Sequence, residues 1–259
     1  MKLLWMGRAL ERVSIILWMS VVLPAVGSPK YEFYSQSYYS SRYDNFIIDG
    51  KLNWMFPETL GVSPYIGISL SQDSLSDETF IYNENYQALQ IGLRSKNFLS
   101  SYLFVEGRQL AVQSESKVIQ DRSQQDLRSG GVHYHWLDLN WLSAYQTYLE
   151  SYGEFFHSTR LNDLFLNVIL RGGLTTNLSS QWTFGPYFAV QLKRDRSGFF
   201  YENSDEWRSG VRTAYQGISL YTMVFLTYGE GRYRPTTGQQ PRSLNFEETR
   251  ALIAIGGHW

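Results

Sequence analysis

Residues 45–56 read NFIIDGKLNWMF. Phe46, Ile48, Gly50, Leu52, Trp54 and Phe56 share one parity, while Ile47, Asp49, Lys51, Asn53 and Met55 share the other. Side chains of an extended strand point alternately to its two faces, so a period of two reads as a strand with one greasy side. A helix would scatter the same residues around its circumference.

Working outward, the same alternation recurs at Val62-Pro64-Ile66-Ile68-Leu70, Leu89-Ile91-Leu93, Leu103-Val105, Trp182-Phe184-Pro186-Phe188-Val190-Leu192 and Ala251-Ile253-Ile255-Gly257-Trp259. Twelve runs are predicted: 31–43, 45–56, 62–72, 85–96, 99–113, 126–137, 141–157, 162–174, 179–194, 205–215, 218–232 and 245–259. All exceed ten residues, whereas globular strands centre near ~5–6. A tilted strand crossing a bilayer needs ~9–11. The predicted connections sort by length: at one end four of six have ten or more residues, and at the other none exceeds five. Short turns at one end and long loops at the other organise transmembrane barrels.

Composition narrows the class. The chain is 43% hydrophobic, 16% aromatic and 18% charged, with 21 Gly, 19 Tyr and no Cys, and its mean hydropathy is −0.30. Without cysteine there are no disulfides, thiolate zinc sites, iron–sulfur clusters or cysteine nucleophiles. The aromatic content argues against disorder. A formal charge of −1 offers no electrostatic footprint for nucleic acid.

Residues 1–27 are expected to be a signal peptide. Lys2, Arg8 and Arg12 form a basic start, Val13–Leu23 an apolar stretch, and Ala25-Val26-Gly27 a small-residue cleavage site. The alternative is a retained anchor, but the apolar run is shorter than the ~20 residues of a spanning helix. Of 23 Lys+Arg and 24 Asp+Glu, removing Lys2, Arg8, Arg12 and Glu11 leaves 20 and 23, a net of −3 for residues 28–259. If that segment meets a membrane, it crosses as strands.

Alternation alone leaves a soluble sandwich open, with the greasy face inward. The export segment, the long strands and the aromatics near strand ends (Trp54, Phe56, Trp136, Trp141, Trp182, Phe184, Trp207 and Trp259) favour the reverse. The expected fold is all-β: a single antiparallel up-and-down transmembrane β-barrel of about twelve strands.

With the apolar parity facing lipid, the opposite parity lines a lumen. Its expected solute-facing residues are Glu106, Arg108, His133, His135, Glu150, Tyr152, Glu154, Arg171, Tyr187, Lys193, Arg208 and Arg212. Asp49, Lys51, Arg94, Gln191, Glu206, Glu248 and Arg250 share that lining. Both charge signs are present, unlike a one-signed ion-selective pore. Tyrosine faces and paired charges suit a sugar chain or small polar solute. The competing reading is a lumen plugged by ion pairs, since about twelve strands leave only a narrow bore.

No catalytic residue, metal or cofactor is expected. His133 and His135 share a face but lack a third ligand. The outer-membrane phospholipase pattern wants a serine two residues after a histidine. Here His133 is followed by His135, His135 by Leu137 and His157 by Thr159. Glu150 and Glu154 have no identifiable carboxylate partner for glycosidase chemistry.

The terminal ALIAIGGHW (251–259) resembles the last strand of Gram-negative outer-membrane proteins, with Trp259 where phenylalanine is usual. That resemblance implies that Ile253, Ile255 and Trp259 form a signal read by the outer-membrane assembly machinery. Residues 185–215 resemble a strand–loop–strand unit of exopolysaccharide-export porins and the related phage-receptor porin. Gly185/Tyr187, Tyr201-Glu202-Asn203 and Gly210-Val211-Arg212 carry it, and Tyr148-Leu149-Glu150-Ser151-Tyr152-Gly153-Glu154 resembles their Y-x-E strand. The resemblance implies a channel in the outer membrane of a Gram-negative bacterium, passing or exporting a polysaccharide or small polar solute. A polysaccharide synthase is the implied partner, and outer-membrane lipids and lipopolysaccharide the implied surroundings. Such exporters usually carry a helical-repeat region ahead of the barrel. None precedes it here, so synthase docking is expected to fall to another protein, or the role to differ. From other classes, the alternatives are a closed structural or adhesive barrel whose loops bind a partner, and an outer-membrane lipid hydrolase.

Overall fold

The computed structural model describes residues 30–42, 44–73, 85–95, 101–110, 125–142, 145–196, 203–234 and 245–258. The expected signal peptide 1–27, Tyr201, Glu202, the Trp141 side chain and Trp259 lie outside the described residues.

Twelve strands form among them: β1 (Lys30–Ser40), β2 (Asn45–Met55), β3 (Val62–Asp73), β4 (Tyr86–Ser95), β5 (Ser101–Leu110), β6 (Gln125–Leu142), β7 (Tyr145–Ser158), β8 (Asp163–Asn177), β9 (Trp182–Asp195), β10 (Ser204–Gln216), β11 (Leu220–Tyr233) and β12 (Asn245–His258). Each pairs antiparallel with its sequence neighbours. β1 closes the ring on β12 from Glu32↔His258 to Ser40↔Arg250. Closure leaves no unpaired sheet edge. The expected up-and-down barrel is the observed one.

Several boundaries depart from expectation, most of all where β6 meets β7, which begins at Tyr145 rather than at residue 141. β6 runs on to Leu142 rather than ending at residue 137. Leu137 and Leu139 continue the outward alternation, and the register against β7 slips only between Leu139 and Leu142. Three of the connections at the long-loop end, 74–85, 111–124 and 234–244, have ten or more residues, one fewer than the sequence predicts. β9 runs on to Asp195 and β10 begins at Ser204, which shortens the fourth to 196–203. At the opposite end β2 meets β3 through Thr59–Val62, where Leu60 (φ 55°) and Gly61 (φ 79°) are both left-handed. Reciprocal Thr59–Val62 backbone bonds of 2.9 and 3.1 Å close this tight hairpin, whose twist matches that of its strands.

The two faces settle which side is wet. Tyr102 on β5 donates to Glu32 on β1 at 3.2 Å across three intervening strands, so both lie inside. Register then assigns every parity. Outside stand Phe46, Trp54, Ile66, Ile68, Leu89, Ile91, Leu93, Leu103, Val105, Leu166, Leu170, Phe188, Leu226 and Ile253, all exposed. Within one strand the contrast is sharp, with Phe46 43% exposed and Ile47 4%. An apolar surface running around the whole circumference far exceeds the patch a soluble monomer shows to water. Lipid is its matching solvent, and the barrel spans a membrane.

Aromatic pairs mark both margins of this belt. Tyr31–Trp54 (5.7 Å) and Trp182–Tyr215 (5.2 Å) lie near the short turns, and Trp207–Tyr228 (6.4 Å) near the long loops. Trp136, expected in a girdle, is instead inside, stacked on Tyr148 at 4.5 Å and 4°. Its parity on β6 is that of Tyr134 and Val132, opposite Leu137 and Leu127.

Candidate functional site

Ten of the twelve expected lumen residues face inward: Glu106, Arg108, Glu150, Tyr152, Glu154, Arg171, Tyr187, Lys193, Arg208 and Arg212. Asp49, Lys51, Arg94, Gln191, Glu206, Glu248 and Arg250 join them. His133 and His135 do not. His133 pairs with Ser101 and His135 with Ser151, all on the outer face. The reason is parity: the leucines at 127, 137 and 139 share the histidines' side of β6, which is the greasy one. His133 Nδ1 lies 3.0 Å from Ser101 Oγ, a bond that lowers the cost of two polar groups on a greasy face. Among the described residues His133 has no carboxylate partner, so this Ser–His pair lacks the orienting group of a hydrolytic triad.

Sequence reasoning passed over Glu32, Tyr34, Tyr65, Tyr102, Asp126, Arg128, Tyr134, Trp136 and Tyr221, all inside. For all but Glu32 and Tyr34 the signal was present, since each lies on the parity opposite its strand's aliphatic residues; β1 (KYEFYSQSYYS) has no aliphatic residue to mark its faces.

Strand direction sorts the lumen into two storeys. Toward the long loops stand charges held flat along the wall. Arg108 bonds Glu106, Arg128 bonds Asp126 at 2.7 Å, Arg208 bonds Glu206, and Arg250 bonds Glu248 at 2.9 Å. Every one of these pairs is two residues apart on one strand, the spacing that points both side chains inward. Arg208 extends the set by donating to Gln191 at 3.0 Å, and Gln191 donates to Asn167 at 2.8 Å. Lys193 stands above them, opposite Asn167 and Ser204.

Toward the short turns the lining turns aromatic. Tyr34, Tyr65, Tyr102, Tyr134, Tyr148, Tyr152, Tyr187 and Tyr221 all face in there. Tyr65 meets Tyr102 edge-on at 5.9 Å, and Tyr187 meets Phe225 at 5.0 Å. The Lys51 ammonium lies 5.9 Å and 6.0 Å from the Tyr65 and Tyr102 rings. Three of these rings lie over a glycine directly opposite, Tyr221 over Gly256 among them. A Cβ at Gly92 would strike Tyr65, and one at Gly173 would strike Tyr148. Those glycines let the rings lie against the wall instead of standing across the bore. Arg94–Glu32 and Arg171–Glu150 complete this storey. Chemically it offers ring faces and hydroxyls for a polyhydroxylated solute, beneath a charge-balanced vestibule.

No family model and no curated protein sequence matches the chain. Among solved structures, it is similar to the β-domain of the Bordetella autotransporter BrkA (8% identity, 89% of this chain and 98% of that one, TM-score 0.45). It is also similar to an outer-membrane channel from Pseudomonas putida F1 (10%, 92% and 97%, TM-score 0.42). The translocator domain of the autotransporter NalP from Neisseria meningitidis aligns over 96% of this chain and 95% of its own, at 9% identity and TM-score 0.39. These likenesses are weak, and the architecture rests on the strand register itself.

Proposed function

We propose that the chain is a porin-like channel of a Gram-negative outer membrane, passing a saccharide or other small polar solute. The two-storey lumen carries this reading. A ring of inward tyrosines supplies flat faces for sugar rings, with hydroxyls already polarised by neighbours, as where Tyr152 donates to Glu154 (3.1 Å) and Tyr65 to Gln90 (3.1 Å). The vestibule pairs its charges, so it does not select ions by sign. The outer-membrane setting is supported by the apolar belt, its aromatic margins and the terminal strand with outward Ile253 and Ile255. Assembly through the outer-membrane machinery, contact with lipopolysaccharide and supply by a polysaccharide synthase belong to the same reading.

One observation favours a closed barrel whose loops bind a partner. Glu32 on β1 reaches both Arg94 on β4 and Tyr102 on β5, a bridge across part of the bore. Single-channel recording in planar bilayers separates the two. Steady openings, interrupted by dissolved cello-oligosaccharide, are expected. Silence from protein that shows folded, heat-modifiable migration would overturn the channel and favour the closed scaffold.

A further inference from the structure

Seven arginines face the lumen among the described residues, and six are neutralised. Arg94 meets Glu32, Arg108 Glu106, Arg128 Asp126, Arg171 Glu150, Arg208 Glu206, and Arg250 Glu248. Arg212 on β10 has no carboxylate partner among the described residues, although it is only 9% exposed. Its guanidinium carbon sits 4.8 Å from the Tyr148 ring centre and 5.2 Å from that of Trp136, and Nη2 lies 3.3 Å from Met223 Sδ. Its Nε has no hydrogen-bond partner, and the Tyr148 hydroxyl, within hydrogen-bonding reach of the guanidinium, has no acceptor for its own O–H. Asp138 on β6 is engaged by the Trp136 indole N–H at 2.8 Å and makes no ion pair with Arg212. Across the sheet Arg212 faces Gly185 on one side and Phe225 on the other, whose ring centre lies 5.9 Å from the guanidinium carbon, and Gly210 precedes it on the same face.

A buried guanidinium without a counter-charge is costly, and ring faces compensate only part of that. Two idle donors, Arg212 Nε and the Tyr148 hydroxyl, beside a stacked aromatic pair describe a place prepared for an anion attached to a flat ring. We infer that Arg212, Tyr148 and Trp136 form a subsite for a carboxylate-bearing saccharide, so that the solute is an acidic rather than a neutral glycan. The carboxylate takes the charge-assisted guanidinium bonds and the phenol hydroxyl. The sugar ring packs beside the indole. This inference rests on the solute-channel reading but is tested separately from conductance.

The test is a binding titration on the folded full chain in detergent micelles, read by tryptophan fluorescence, to which Trp136 contributes. The probes are a short oligoglucuronate and a cello-oligosaccharide of equal length, which differ only in carboxylate against hydroxymethyl. Oligoglucuronate is expected to bind about tenfold more tightly, the size of one charge-assisted hydrogen bond. Arg212→Gln should bring the two affinities together, and Arg212→Lys should retain part of the preference. Equal affinities in the unaltered chain, or a preference that survives in both variants, overturns the subsite. Acetate binding as tightly as oligoglucuronate overturns the saccharide assignment in favour of a small-anion site. A carboxylate preference lost in Arg212→Gln, from a barrel silent in bilayers, would sink the channel and leave the subsite standing. Steady conductance without the preference would do the reverse.

Discussion

Ile91→Arg is expected to abolish the folded, heat-modifiable species in membranes. Ile91 lies on the outer face of β4, 54% exposed, between Ile66 on β3 and Val105 on β5. The apolar belt extends beyond it toward both strand ends through Leu89 and Leu93, so the side chain sits well inside the hydrocarbon. An arginine there costs ~2–4 kcal/mol, a large share of a marginal folding free energy. The paired control is Ser69→Arg. Ser69 faces the lumen, and its hydroxyl lies 3.5 Å from Glu106 Oε2, so a guanidinium meets a carboxylate there. Semi-native electrophoresis should show Ile91→Arg unfolded and Ser69→Arg assembled. Normal migration of Ile91→Arg contradicts the assignment of faces.

Glu248→Gln is expected to cost the barrel more stability than any other single change in the vestibule. Glu248 is 2% exposed, both its oxygens accept from Arg250 Nη2 at 2.9 Å, and Arg208 Nη2 stands 4.0 Å away. Removing that charge leaves Arg250 without its carboxylate. Breaking a buried pair by deleting one partner costs about 3–5 kcal/mol. Urea unfolding in lipid vesicles reads it directly. The double change Glu248→Gln with Arg250→Leu should recover much of the loss, because no orphaned charge remains. A shift below about 1 kcal/mol, the worth of a solvent-exposed pair, contradicts the burial of this network.

The strand count, the antiparallel order and the apolar outer face were legible because period-two alternation is local: each stretch such as 45–56 announces its own two faces. Lumen charges followed wherever aliphatic residues anchored the opposite parity, as Leu103 and Val105 do for Glu106 and Arg108. The reading failed on β6, where three leucines share a face with Ser129, Gly131, His133 and His135, and polarity outweighed parity. Trp136 misled for a related reason, since closeness to a strand end says nothing about side. Partnerships between distant strands were not legible at all. That Glu32 meets Arg94, or that Arg212 meets none of the carboxylates, depends on how far the closed sheet carries each strand around the ring. No single strand's pattern contains that rotation.

Because the chain has no cysteine, single cysteines can be placed and spin-labelled without background. The most direct test labels positions 65 to 70 one at a time in β3, reconstituted into bilayers, and measures collisions with oxygen and with a water-soluble nickel chelate. Oxygen, concentrated in lipid, should relax labels at 66, 68 and 70 strongly, and labels at 65, 67 and 69 weakly. The chelate should fail to reach 66, 68 and 70. Labels at those three positions that the chelate relaxes more than oxygen does would mean that water wets the apolar face, and the account of a membrane-spanning barrel would be wrong.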